Sequence, residues 1–209
     1  MNGKNSSIPI EKRRLTMIEV LCAKELGDAA KKRISEIFVD AFGHHLSFFS
    51  KDKNKLAEAL EHMFVLDVFH VARIEGNIAG MAACTASDVH PVNHDRNELR
   101  KHFGIYKGTI ANVVFKREFQ KPIKVGKRTA FIQFFATDPK YRRRGVAKAI
   151  MNHLLSLPQY DEYILELTNT DPRVIRLYEK LGFKEFERIK QKYSRLSGLD
   201  YMVYMRYAK

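Results

Sequence analysis

Residues 138–155 read DPKYRRRGVAKAIMNHLL. An Asp-Pro turn is followed by Arg142, Arg143 and Arg144 set directly against Gly145, and then by Val146, Ala147, Ile150, Met151, Leu154 and Leu155 at the spacing of one buried helical stripe. Upstream, TAFIQFFAT (129–137) is an apolar run of strand length. The segment therefore reads as strand, turn, helix, with the helix starting near Arg144 and stopping at Pro158. The first four N–H groups of a helix have no internal partner, and the positive end of its dipole favours an anion. Gly145 has no Cβ to block the approach, Ala147 keeps the next turn open, and Lys140, the three arginines and Lys148 add mobile positive charge. Residues 142–148 are thus expected to seat a diphosphate; a general basic patch is the other reading of the same arginines.

Working outward, YILELTN is a second strand, and DPRVIRLYEKLGF (171–183) is a helix with its end signals in place. Asp171 stands at the N-cap, Pro172 at the first helical position and Gly182 just past the end. Strand, helix and strand in that order make a crossover, hence a parallel pair. KEFERIKQKY and YMVYMRYA close the chain as strands around a Ser197-Gly198 turn. Toward the N-terminus, residues 1–14 are a polar arm and MIEVLCAKEL is a first strand with its exit. A helix follows from an Asp28 N-cap to Gly43 with Ile34, Ile37, Phe38 and Phe42 inward, then a second with Leu56, Leu60, Met63 and Phe64 on one side. FVLDVFHVARIEGNIAGMAACTAS is an antiparallel hairpin turning at Glu75, Gly76 and Asn77. The insert at 88–128 interleaves Leu99, Phe103, Ile110, Val113, Val114 and Phe119 with many bases. It reads as a helical lid or packing arm, its apolar side on the core or on a second subunit. The fold class is mixed α/β, and residues 15–209 are expected to form a single domain.

Composition narrows the function classes. The chain has 209 residues, 45% of them hydrophobic, and a formal charge of +13, which favours anionic partners without choosing among them. Cys22 and Cys84 each lie in an apolar run and read as core residues rather than a disulfide. The first residues carry no apolar signal segment, and no window reaches the ~18 apolar residues of a membrane span. A cytoplasmic protein with no membrane partner is expected. Around His90 and His94 no cysteine or clustered carboxylate completes a metal site.

Two motifs at this separation resemble the GNAT superfamily of acyl-CoA-dependent N-acyltransferases. RRRGVA matches its Q/R-x-x-G-x-G/A cofactor motif at Arg142, Gly145 and Ala147, and DPRVIRLYEKLGF matches its later L-Y-E-K-L-G-F helix in all but the first residue. The resemblance implies a central mixed sheet of about seven strands with helices on both faces, the insert lying between the third and fourth strands. It also implies a splayed parallel pair, TAFIQFFAT and YILELTN, with the pantetheine arm of acetyl-CoA in the gap. By position, Phe135, Ala136 and Thr137 would bond the pantetheine, and Arg142, Arg143, Arg144, Gly145, Val146, Ala147 and Lys148 would hold the pyrophosphate. Tyr178 would stand near the sulfur and protonate the departing thiolate. The implied activity is direct transfer of an acetyl group from acetyl-CoA to an amine of a small molecule or protein.

The departures from the family pattern leave alternatives. Asp171 replaces the usual Asn and suits an N-cap, while Asn169 is placed to take over its cofactor contact. Phe131 stands where many members carry the glutamate base. With Phe131, Gln133 and Phe135 expected on one strand face, Gln133 is the polar residue left to position a water. Glu166 or a histidine of the insert are the remaining candidates for the base. Tyr178, at helical spacing from Val174 and Leu181, also fits a core position. A non-catalytic acyl-CoA-binding protein of this fold and a basic nucleic-acid-binding protein stay open as other functions; nucleic acid ranks lower because no nucleic-acid motif is present. Oligomeric state, a homodimer included, is open.

Overall fold

The computed structural model describes residues 17–87, 89–119, 126–168, 172–190 and 201–209. The polar arm and the Ser197-Gly198 turn expected from sequence lie outside them. Strand β1 (Ile18–Cys22) leads through a 3-10 turn into helices α1 (Ala29–Phe42) and α2 (Lys53–Leu60). The hairpin β2 (Phe69–Ile74) and β3 (Asn77–Thr85) turns at Glu75-Gly76, and α3 (Arg96–Phe119) precedes β4 (Thr129–Thr137). The crossover follows as α4 (Val146–Ser156), β5 (Glu162–Thr168) and α5 (Pro172–Lys180), and the chain ends in β6 (Lys184–Lys190) and β7 (Tyr201–Ala208). One seven-stranded sheet runs in the order β1-β2-β3-β4-β5-β7-β6. Its neighbours are antiparallel except β4 and β5, which are parallel. Among the described residues no helix is long and apolar enough to cross a membrane.

The sheet separates two cores, because strand side chains alternate between faces. On one face Ile34, Phe38, Leu56, Leu60, Leu99 and Phe115 of α1–α3 pack on Phe69, Val71 and Met81. On the other, Val146, Ile150, Met151 and Leu154 of α4 and Tyr178 of α5 pack on Ile132, Tyr163, Leu165 and Val203. Fully burying each large aliphatic chain stabilises the fold by about 1.5–3 kcal/mol before conformational entropy is counted.

Three local expectations are corrected. Asp28 has helical dihedrals (φ −60°, ψ −23°) and makes no side-chain cap; its carboxylate pairs with Lys31 at 2.9 Å instead. Carboxylates that do cap helices are Asp52, which accepts from the amides of Asn54 (2.8 Å) and Lys55 (3.2 Å) at the start of α2, and Asp95, which accepts from those of Asn97 (2.7 Å) and Glu98 (2.9 Å) at the start of α3. In the insert, α3 breaks at Gly104 (φ 80°, ψ 167°), and the break rotates the second half. Leu99, Phe103, Ala111 and Phe115 face the core, whereas Val113 (62% exposed) and Val114, expected on the core or on a second subunit, are not on the core. The third correction concerns β4 and is described with the site it shapes.

Candidate active site

The turn from β4 into α4 is fixed before any ligand is considered. Asp138 is buried, its backbone N–H donates to Ala79 O (3.0 Å), and its Oδ1 accepts from the Lys140 amide (2.7 Å). The Arg33 guanidinium from α1 pairs with the same carboxylate. The chain then turns through Arg143 at φ 62° and Gly145 at φ 88°, so the helix begins two residues later than the sequence suggests, at Val146. An L side chain at Gly145 would be strained by that φ. The first helical bond at this end runs from Ala149 N–H to Gly145 O (2.9 Å), which leaves the amides of Val146, Ala147 and Lys148 ahead of it. Arg142, Arg143, Arg144 and Lys148 are exposed around this helix mouth, with the Arg144 guanidinium 5.3 Å from the Tyr141 ring centroid. Val146 itself is buried against Gly80 of β3, where an added Cβ would stand 2.6 Å from Val146 Cγ1.

Beside the turn the two parallel strands part. Pairing between β4 and β5 runs from Thr129↔Glu162 to Ile132↔Leu165 and ends there. On the other edge of β4 the register moves from Ala83↔Gln133 to Met81↔Ala136, so β4 carries one residue more than β3. The extra residue is taken up at Phe134, which has φ 50°. Phe131 and Gln133 therefore keep to one face, as expected, and Phe135 leaves it. Gln133 lies on the α1 side, its amide donating to Thr85 Oγ1 at 3.3 Å, and Phe134 follows it there, 5.3 Å from the Phe38 ring. Phe135 is turned to the α5 side, 6.2 Å from the ring of Tyr178. From Gln133 onward the edge of β4 that faced β5 is released from the ladder.

Two titratable groups flank the parting strands from opposite faces. Tyr178 on α5 is 5% exposed and packs edge-on against Phe135 and Phe183. Burial pushes its phenol well above the ordinary tyrosine value, so it is neutral and keeps its proton near neutral pH. Glu166 is the first β5 residue past the last β4 pair, on the face opposite the buried Leu165. It stands in register with Tyr204 of β7, so the two side chains are cross-strand neighbours on one face of the sheet. Burial first, and then the Glu166 carboxylate, raise the Tyr204 phenol. Phe135, Ala136, Thr137, the turn at 142–148 and Tyr178 thus come together, while Gln133 is on the other face of the sheet. Asn169 and Asp171 lie outside the described residues. Sequence reasoning did not find Tyr204, whose link to Glu166 depends on the β5–β7 register. It also passed over Gly80, although a lone glycine inside a strand pattern signals close backbone approach.

Comparisons with known proteins bear on the same segments. The Acetyltransferase (GNAT) family matches residues 32–183. The chain belongs to this family. Both motifs and the parting strands fall inside the matched stretch, on the β4–α4 and β5–α5 units of this GNAT acetyltransferase. N-alpha-acetyltransferase 30 of Xenopus laevis is 35% identical over 80 residues, 35% of this chain and 27% of that protein. The match thus spans about a quarter of that relative's length. Among solved structures, an N-acetyltransferase from Staphylococcus aureus Mu50 superposes with a TM-score of 0.62 at 14% identity, covering 90% of this chain and all of the other. Ard1 from Thermoplasma volcanium gives 0.50 at 19% identity, covering 92% and 96%. At these identities the structural likeness establishes the fold.

Proposed function

We propose that this GNAT acetyltransferase moves an acetyl group from acetyl-CoA to a primary amine by direct attack, in the gap between β4 and β5. The observation that carries the reading is the parting of these strands with a buried, neutral phenol on one face and a carboxylate on the other, next to a helix mouth ringed by arginines. The residues suit the coenzyme. A diphosphate needs convergent N–H donors with no Cβ in the way, and Gly145 at φ 88° ahead of the Val146, Ala147 and Lys148 amides supplies that. The side chains of Arg142–Arg144 and Lys148 add charge, and the released edge of β4 at Phe135–Thr137 offers peptide groups to an extended amide-bearing arm.

When bound, acetyl-CoA supplies an activated acyl carbon. Glu166 accepts a proton from the acceptor amine, whose nitrogen lone pair forms the new C–N bond. A β4 amide stabilises charge on the carbonyl oxygen, and Tyr178 donates its proton to sulfur as the C–S bond breaks. Both side chains then exchange protons with solvent. Glu166 replaces Gln133 as the acceptor-side group, since the Gln133 amide is engaged by Thr85. Two measurements test this. Isothermal titration is expected to show CoA binding by the purified protein, weakened at least about tenfold in Gly145→Val, whose side chain is strained at that φ, so that the turn presenting the helix-mouth amides has to shift. Thiol release from acetyl-CoA is expected to require an amine. A purified, folded protein that binds no CoA overturns the proposal.

A further inference from the structure

Glu166 is exposed on an open part of the sheet, where a glutamate side chain ordinarily samples many rotamers. A general base working at the mouth of a gap needs one of its oxygens held in place. We propose that Tyr204 is the positioning residue for Glu166: its hydroxyl anchors one carboxylate oxygen, so that the other faces the parting strands. The inference rests on the reading of Glu166 as the base.

The placement follows from the register. Glu166 and Tyr204 are cross-strand partners, and β5 and β7 stay paired from Glu162↔Ala208 to Thr168↔Met202, whereas β4 has already left at Ile132. Tyr204 therefore approaches Glu166 from the side away from the gap. Its ring is held in turn by Phe186 of β6 at 6.3 Å. The other charged groups around the pair come from each neighbouring strand. Glu187 of β6 stands opposite Tyr204 and opposes ionisation of its phenol, and the Glu162–Arg206 ion pair of β5 and β7 (3.2 Å) lies further along the same face. Across the gap, β4 contributes the neutral Gln133. A phenol that donates to the Glu166 carboxylate favours its charged form.

The test is a carbon-13 NMR titration of the glutamate carboxyl carbons in labelled protein, with Glu166 assigned by its disappearance in Glu166→Gln. In Tyr204→Phe, which keeps the ring on Phe186, the Glu166 titration midpoint is expected to rise by about one pH unit, the size of one lost hydrogen bond to a charged group. CoA affinity by isothermal titration is expected to stay within about twofold of wild type. A purely structural role for Tyr204 would leave the midpoint in place, and an unchanged midpoint overturns the proposal. The underlying reading fails separately. If Glu166→Gln binds CoA and releases thiol with a panel of primary amines at the wild-type rate, Glu166 is not the base, and positioning it has no catalytic purpose.

Discussion

In the proposed reaction Tyr178 serves packing and chemistry through different atoms. Its ring lies edge-on to Phe135 and Phe183 and is held by the core beneath α5, while its hydroxyl is the only polar atom the side chain carries. Tyr178→Phe keeps the ring contacts and removes that one oxygen. Stability is therefore expected to change by no more than about 1 kcal/mol in a urea melt. Turnover is expected to fall by about 10²-fold with CoA affinity nearly unchanged, because a proton donor acts on the leaving sulfur rather than on the bound coenzyme. Steady-state kinetics beside calorimetry separate the two effects. Unchanged turnover would leave Tyr178 as a core residue alone.

At the scale of elements, the seat of α4 on the sheet depends on the absence of a side chain at Gly80. A Cβ there would meet Val146 Cγ1 at 2.6 Å and Ala136 O at 2.9 Å, so the first turn of α4 and the last residues of β4 would both have to move. Gly80→Val is expected to cost about 1–3 kcal/mol of stability by overpacking and to weaken CoA binding, although Gly80 touches no ligand. Denaturation and calorimetry on the same sample check it, and a variant with wild-type values for both would show that α4 tolerates displacement. The elements themselves were legible in the sequence where local signals agree: the Pro158 stop, the Gly182 end and the α4 stripe each name a boundary or a face. The bulge in β4 was not, because Phe134 is neither glycine nor asparagine and nothing in TAFIQFFAT marks a residue at φ 50°. Since a bulge moves every following side chain to the other face, the one hidden residue misplaced Phe135 relative to Gln133. The exposure of Val113 likewise follows from a break at Gly104 whose angle no periodicity states.

Across the whole molecule, α4 is tied to strands far from it in sequence, and one of the ties depends on pH. His70 of β2 and His153 of α4, 83 residues apart in sequence, meet with Nδ1 and Nε2 at 3.0 Å, joining the N-terminal half of the sheet to the helix that follows the arginine turn. Burial, with the neighbouring His153 adding to it, lowers His70 to about 4, and burial lowers His153 as well. In the unfolded chain each returns to an ordinary value near 6.5. Between those values the unfolded state binds more protons than the folded state, so stability falls as pH falls. The contribution is fully present above about pH 6.5 and is lost progressively down to about pH 4. A shift of that size corresponds to about 3 kcal/mol at full burial, reduced to about 1–2 kcal/mol for a ring partly in contact with solvent. His70→Gln keeps a polar partner for His153 and cannot titrate in this range. Its urea midpoint is expected to drop less between pH 7.5 and pH 4.5 than that of the wild type, the difference amounting to about 1–2 kcal/mol, with His153 supplying the slope that remains. Equal losses in the two proteins would mean that the pair is solvated well enough to accept a proton without strain, and that β2 and α4 are held by their apolar contacts alone.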